Sequence, residues 1–163
     1  MTEETAPRTG APRIFLVVVD ESLEMPVALH YASRRAMHTG GRVALLRVIP
    51  QEETHGLASV AALMKEEARQ EAEQLLQRMA RSVIEVTGSV PVIYILEGSV
   101  RDELLRLTNE DPTISILVLA AGTGPEGPGP LITYLSGKAV GRLRIPVTIV
   151  PGSLTREQMD AIS

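Results

Sequence analysis

The residues whose types and spacing best suit chemistry are three glycines, Gly122, Gly124 and Gly127, and the pair Gly137-Lys138. They lie in the stretch L-A-A-G-T-G-P-E-G-P-G-P-L-I-T-Y-L-S-G-K, from Leu119 to Lys138, between apolar runs at Ile114–Ala121 and Pro146–Pro151. A glycine-rich turn after a buried strand lets backbone N–H groups converge on an anion. Gly129-Pro130 reads as a helix start, because proline fixes φ for a first helical residue. The free N–H groups of Leu131, Ile132 and Thr133 would then face the turn. A second chemical group is Asp20, which with Glu21 and Ser22 closes the first apolar run of the chain.

Several more specific chemistries do not fit. Gly122, Gly124 and Gly127 spell GxGxxG, but a dinucleotide fingerprint belongs after the first strand and runs directly into a helix, whereas this one meets prolines. Gly137-Lys138 ends like a phosphate-binding P-loop, yet the required first glycine falls on Ile132 and Ala139 follows the lysine. The absence of cysteine removes thiolate catalysis, disulfides and cysteine zinc sites. His30 and His38 stand eight apart on one helix and His55 in a loop, which is not metal-ligand spacing. Ser22, Ser99 and Ser136 fall near the expected ligand edge, but none sits in a GxSxG elbow.

A site of this kind needs a sheet to hold it, and the chain has the elements. With 163 residues, 44% hydrophobic, it can fill one core but not two ordinary domains. The spacing predicts strands at Arg13–Val19, Arg42–Pro50, Val90–Leu96, Ile114–Ala121 and Pro146–Val150. Helices are predicted between them at Leu23–Thr39, Ser59–Val86, Val100–Asn109 and Leu131–Arg142. The first helix should bury Val27, Ala28, Tyr31, Ala32 and Met37. The long helix should bury a stripe that includes Val60, Leu63, Met64, Ala72, Leu76 and Val83. Five strands alternating with helices imply an α/β fold, a single doubly wound, mainly parallel sheet covered on both faces. Residues 1–12 read as a disordered lead-in, 13–152 as the domain, and 153–163 as a tail in which Thr155 and Gln158 form a capping-box pattern.

The totals restrict partners. Net charge −4 and an aromatic content of 2% argue against nucleic acid, which is held by cations and stacked on rings. No apolar run reaches the length of a membrane span or forms a signal peptide, so the expected location is cytoplasmic.

From Arg13 to Gly152 the chain resembles the universal stress protein family. The resemblance rests on V-V-V-D-E-S at the end of the first strand, L-L-R-V-I-P closing the second, and the glycine turn leading to I-P-V-T-I-V-P. In members of that family that bind ATP, the strand-one aspartate and a hydrophobic residue ending strand two hold adenosine. A pattern GxxGx9G followed by Ser or Thr holds ribose and phosphates. The resemblance therefore implies that Asp20 and Val48 meet adenosine, and that Gly122, Gly124, Gly127, Gly137 and Lys138 stand at the phosphate end. Gly124, Gly127 and Gly137 satisfy the glycine spacing, while Lys138 replaces the hydroxyl residue. Counted from the last strand instead, Tyr134 or a neighbour takes the final glycine position, so the register of 131–145 has two readings. The resemblance also implies a homodimer, and the last strand, Pro146–Val150, is an expected edge that a second chain would cover.

The leading expectation is a regulatory binding protein for ATP or another adenine nucleotide, with magnesium as an accompanying ion. The alternatives are a nucleotide-free dimeric interaction protein of the same fold and, third, a slow ATP hydrolase.

Overall fold

A computed structural model describes residues 12–51 and 56–163. His55 and all but the last residue of the expected lead-in fall outside the described residues. The strands are β1 (Ile14–Val18), β2 (Arg42–Ile49), β3 (Val92–Glu97), β4 (Ile114–Ala121) and β5 (Val147–Pro151). The helices are α1 (Met25–Thr39), α2 (Ala58–Thr87), α3 (Val100–Glu110), α4 (Pro130–Ser136) and α5 (Arg156–Ile162). All strand pairs are parallel and the sheet order is β3-β2-β1-β4-β5. The sheet is thus wholly rather than mainly parallel.

Alternation along each strand sorts the core into two layers. Phe15, Val17 and Val19 pack with α1, α2 and α5, while Leu16 and Val18 pack with α3 and α4. The long apolar runs of β1, β2 and β4 follow from burial on both faces. The order in which strands are added then reverses at β1. After β3 and α3 the chain crosses to the other side of β1 to form β4, which leaves a crevice beyond the carboxyl ends of β1 and β4.

Helix α1 ends at Gly40, whose φ of 66° is a left-handed cap. It buries Met25, Ala28, Leu29, Ala32, Ser33 and Ala36, whereas Met37, expected inside, is exposed. A larger departure occurs in α2. Its thirty residues span about 45 Å, but the eight residues of β2 span only about 26 Å. The first half therefore overhangs the sheet. Val60, Leu63 and Met64 are exposed, and only Ala72, Leu76 and Val83 are buried.

The predicted helix over 131–142 is broken in two. Helix α4 stops at Ser136, Gly137 takes φ −101° and ψ −91°, and a 3-10 turn follows at Val140–Arg142. The capping box at the C-terminal end forms in full: Thr155 Oγ1 accepts from the Gln158 N–H, and the Thr155 N–H donates to Gln158 Oε1. Helix α5 is docked on α1. Met159 is buried, and Asp160 lies 2.8 Å from His30 Nε2 and 3.1 Å from Arg34 Nε. The bond to His30, then the charge of Arg34, holds the Asp160 carboxyl below its usual range.

At the amino edge of the sheet the polar groups are spent on one another. Arg42 donates twice to the Val90 carbonyl, and Arg144 donates to the carbonyls of Thr108, Asp111 and Ile114. Tyr94 Oη donates to Asp111 at 2.6 Å. Burial first, and then this bond, pushes the Tyr94 phenol up to about 12. The Thr113 hydroxyl and the Tyr94 phenol hold the Asp111 carboxyl below its usual range.

Candidate functional site

The carboxyl edge is built differently. Asp20 stands just past β1, exposed, and its Oδ1 accepts from the Ser22 N–H at 2.9 Å and from Ser22 Oγ at 2.6 Å. This turn fixes the side chain, and Oδ2 makes no hydrogen bond among the described residues. Two adjoining cavities share Asp20, Val18, Pro130 and Leu131 as walls. The smaller, of about 100 Å³, is completed by Ser22, Glu24, Ala120 and Gly129 among others. The larger, of about 200 Å³, is closed by Val19, Arg47, Val48, Val100 and Arg101. Both lie where the topology leaves an opening.

The glycine-rich segment is a closed loop. The Gly122 N–H donates to the Pro128 carbonyl at 2.9 Å, and the Gly127 N–H donates to the Gly124 carbonyl at 3.2 Å, with Pro125 inside the turn. The Thr133 N–H, expected to face the turn, instead donates to the Gly129 carbonyl at 3.1 Å. That leaves fewer amides for an anion than the sequence suggested. Gly129 adopts φ 119° and ψ 154°, a region open essentially to glycine alone, and so turns the chain into Pro130 and α4.

The structure brings together some of the expected residues and separates others. Asp20 and Val48 wall the same cavity, with Val48 buried at the end of β2. Gly122, Gly124 and Gly127 shape the loop beside the smaller cavity without walling it. Gly137 and the exposed Lys138 follow the last turn of α4. Seven residues of helix put them about 10 Å from its first turn, and they wall neither cavity. Three contributors had no distinctive sequence signal, Glu24, Arg47 and Arg101, whereas Gly129 reads in the sequence as a helix start and not as a wall. Only the strand order shows that the end of β2 and the start of α3 meet beside Asp20.

Charge is divided across the site. On the glycine side Glu24 joins the walls, with its carboxylate near Gly122, and Glu126 is exposed in the loop. On the other side stand two arginines. Arg47 donates one bond, to the Val19 carbonyl at 3.3 Å, and the Arg101 guanidinium lies 4.8 Å over the Tyr134 ring. Neither has a carboxylate within ion-pair distance among the described residues. No group of three or more acidic or histidine side chains there is placed to hold a metal ion.

The universal stress protein family model matches residues 12–151. The chain belongs to that family. Universal stress protein UspA from Lactobacillus plantarum is similar in structure, with a TM-score of 0.71, 18% identity, and coverage of 86% of this chain and 99% of that one. The universal stress protein from Archaeoglobus fulgidus in complex with dAMP has a TM-score of 0.58 at 17% identity, covering 85% of this chain and 97% of its own. A universal stress protein family protein from Arabidopsis thaliana with AMP bound has a TM-score of 0.56 at 16% identity, covering 86% and 92%. At such identities the likeness establishes the fold. No curated protein matches the sequence. Among the described residues no helix is long and apolar enough to cross a membrane.

Proposed function

We propose that the crevice around Asp20 binds an adenine nucleotide and that the protein acts as a cytoplasmic regulatory binding protein. The observation that carries this reading is the meeting of Asp20, Val48 and the loop that ends in Gly129 around two joined cavities at the topological switch point. Universal stress proteins of the same fold carry dAMP and AMP. On this reading Asp20 Oδ2 accepts from ribose hydroxyls, and Val18, Val48, Val100 and Leu131 cover the base. Ligand binding orders the loop from Gly122 to Gly129, and the ordered loop is what a partner reads.

The assembly belongs to the same proposal. Strand β5 is a sheet edge, Ile149 and Val140 are exposed, and an apolar recess of about 300 Å³ beside them is walled by Leu143, Ile145 and Val147. A second copy would cover that edge.

Freshly purified protein, denatured and analysed by mass spectrometry, should release an adenine nucleotide or, if empty, gain thermal stability when adenine nucleotides are added. Asp20→Ala should abolish either signal while leaving the unliganded melting temperature unchanged. An empty protein whose melting is indifferent to AMP, cyclic AMP and ATP at millimolar concentration favours the nucleotide-free interaction protein. That second reading has one observation of its own, the Gly122 and Gly127 amides already spent inside the loop.

A further inference from the structure

The crevice and the apolar recess beside β5 have a wall in common. Leu119 and Ile132 line both the smaller cavity and the recess, and each is only 7% exposed. Leu119 stands on β4 in register with Ile149 of the edge strand, so one strand spacing of about 5 Å separates the crevice wall from the sheet edge. Ile132 belongs to α4, which faces both ways. Pro130 and Leu131 in its first turn wall the crevice, Leu135 and Ser136 in its last turn wall the recess, and Ile132 walls both.

Helix α4 has little of its own to hold it. It is seven residues long and lies between Gly129, at φ 119°, and Gly137, where the helix ends. A helix of two turns is stable only through what it packs against, here the side chains of Ile132 and Leu135. Beside those side chains the recess opens about 300 Å³ of apolar-walled space. Atoms that border unfilled space lack contacts on that side, so nothing there keeps Ile132 and Leu135 from shifting outwards. No Asp, Glu, Lys or Arg walls the recess, and its one hydroxyl, Ser136 Oγ, donates to the Ile132 carbonyl at 2.7 Å. Such a surface suits another that is equally apolar. Copies that each carry a net charge of −4 meet at least cost where neither presents a charge, so the occupant that fits is a second copy of this chain brought there by β5.

Resting on the nucleotide and assembly readings above, we infer that α4 couples them: nucleotide binds the dimer more tightly than the monomer. The second copy, in covering the recess, backs Ile132 and Leu119 and so forms the crevice wall in advance. Each event removes freedom from the same short helix, and whichever comes second has less to order. By linkage, nucleotide tightens the dimer in turn.

The test measures both sides of this linkage on the full chain. Analytical ultracentrifugation gives the dimer Kd with and without saturating AMP, cyclic AMP or ATP, and equilibrium dialysis gives nucleotide affinity at chain concentrations below and above that Kd. The dimer should bind nucleotide about five- to tenfold tighter than the monomer, an ordinary coupling between two sites. With two crevices per dimer, saturating nucleotide should tighten the dimer by the square of that factor, about twenty-five- to a hundredfold. Ile149→Lys, which places a charge on the exposed edge strand, should stay monomeric and bind nucleotide with the monomer's affinity at every concentration. Ile132→Ala, which removes the shared wall, should weaken binding and dimerisation and bring the coupling factor close to one. Thermal melts establish that each variant is folded. A wild-type chain that dimerises and binds nucleotide with neither affecting the other, nucleotide that dissociates the dimer, or coupling that survives intact in Ile132→Ala overturns the inference and leaves both readings standing. A chain that binds none of the three nucleotides takes the nucleotide reading down with the inference, and one that stays monomeric at every concentration takes down the assembly reading instead.

Discussion

The two edges of the sheet use the same residue types in opposite ways. At the amino edge Arg144 holds three carbonyls, Arg42 holds one, and Tyr94 is locked onto Asp111. At the carboxyl edge Arg101 has no carbonyl or carboxylate partner among the described residues, and Asp20 commits only one oxygen, to its own turn. A buried or half-buried polar group is costly unless it is bonded. An edge that closes every such bond is built for stability, and an edge that leaves charged groups available is built for something that arrives. The position of the strand ends decides which edge is which, since ligands enter an open parallel sheet at its carboxyl side.

If this division is right, substitutions of similar chemistry should differ in cost according to edge. Arg144→Ala leaves three carbonyls short of a donor and should lower unfolding stability the most, by about 1–3 kcal/mol in urea denaturation. Tyr94→Phe should cost about 1 kcal/mol at neutral pH, and its pH dependence carries a sign. The depressed Asp111 carboxyl stabilises the fold above the ordinary carboxylate range, and that contribution is lost as pH falls through its lowered value. The gap between wild type and Tyr94→Phe should therefore hold from pH 5 to 9 and close below about pH 4. Arg101→Gln should move stability by less than about 1 kcal/mol, the scale of an exposed cation–aromatic contact. A loss at Arg101 as large as that at Arg144 would mean that the carboxyl edge is structural too.

The fold was legible because burial on both faces writes itself into composition: I-F-L-V-V and V-A-L-L have no polar alternation to hide a sheet face. Periodicity, however, records which side of a helix is apolar and not what lies beneath it, so Val60, Leu63 and Met64 read like Leu76 although nothing in the described chain covers them. A single helix is expected over 131–142 because Tyr134 to Leu143 keeps helical spacing through Gly137, but the backbone leaves the helix there. Asp20 stands out as the close of the first apolar run, while Val48 comes only from the family resemblance. Arg47 and Arg101 have neither signal, since a single arginine among sixteen basic residues says nothing until topology sets β2 beside α3. The docking of α5 has the same character: the Thr155 cap is local, but the approach of Asp160 to His30 joins residues 130 positions apart.

The overhang of α2 gives one continuous helix two solvent histories. From Ala72 onward its backbone amides lie over packed side chains and exchange with deuterated water only when that layer opens. Before Ala72 the same hydrogen-bond ladder stands in solvent and opens turn by turn. Deuterium uptake along α2 should thus fall steeply near its midpoint, with no break in the helix to mark the place.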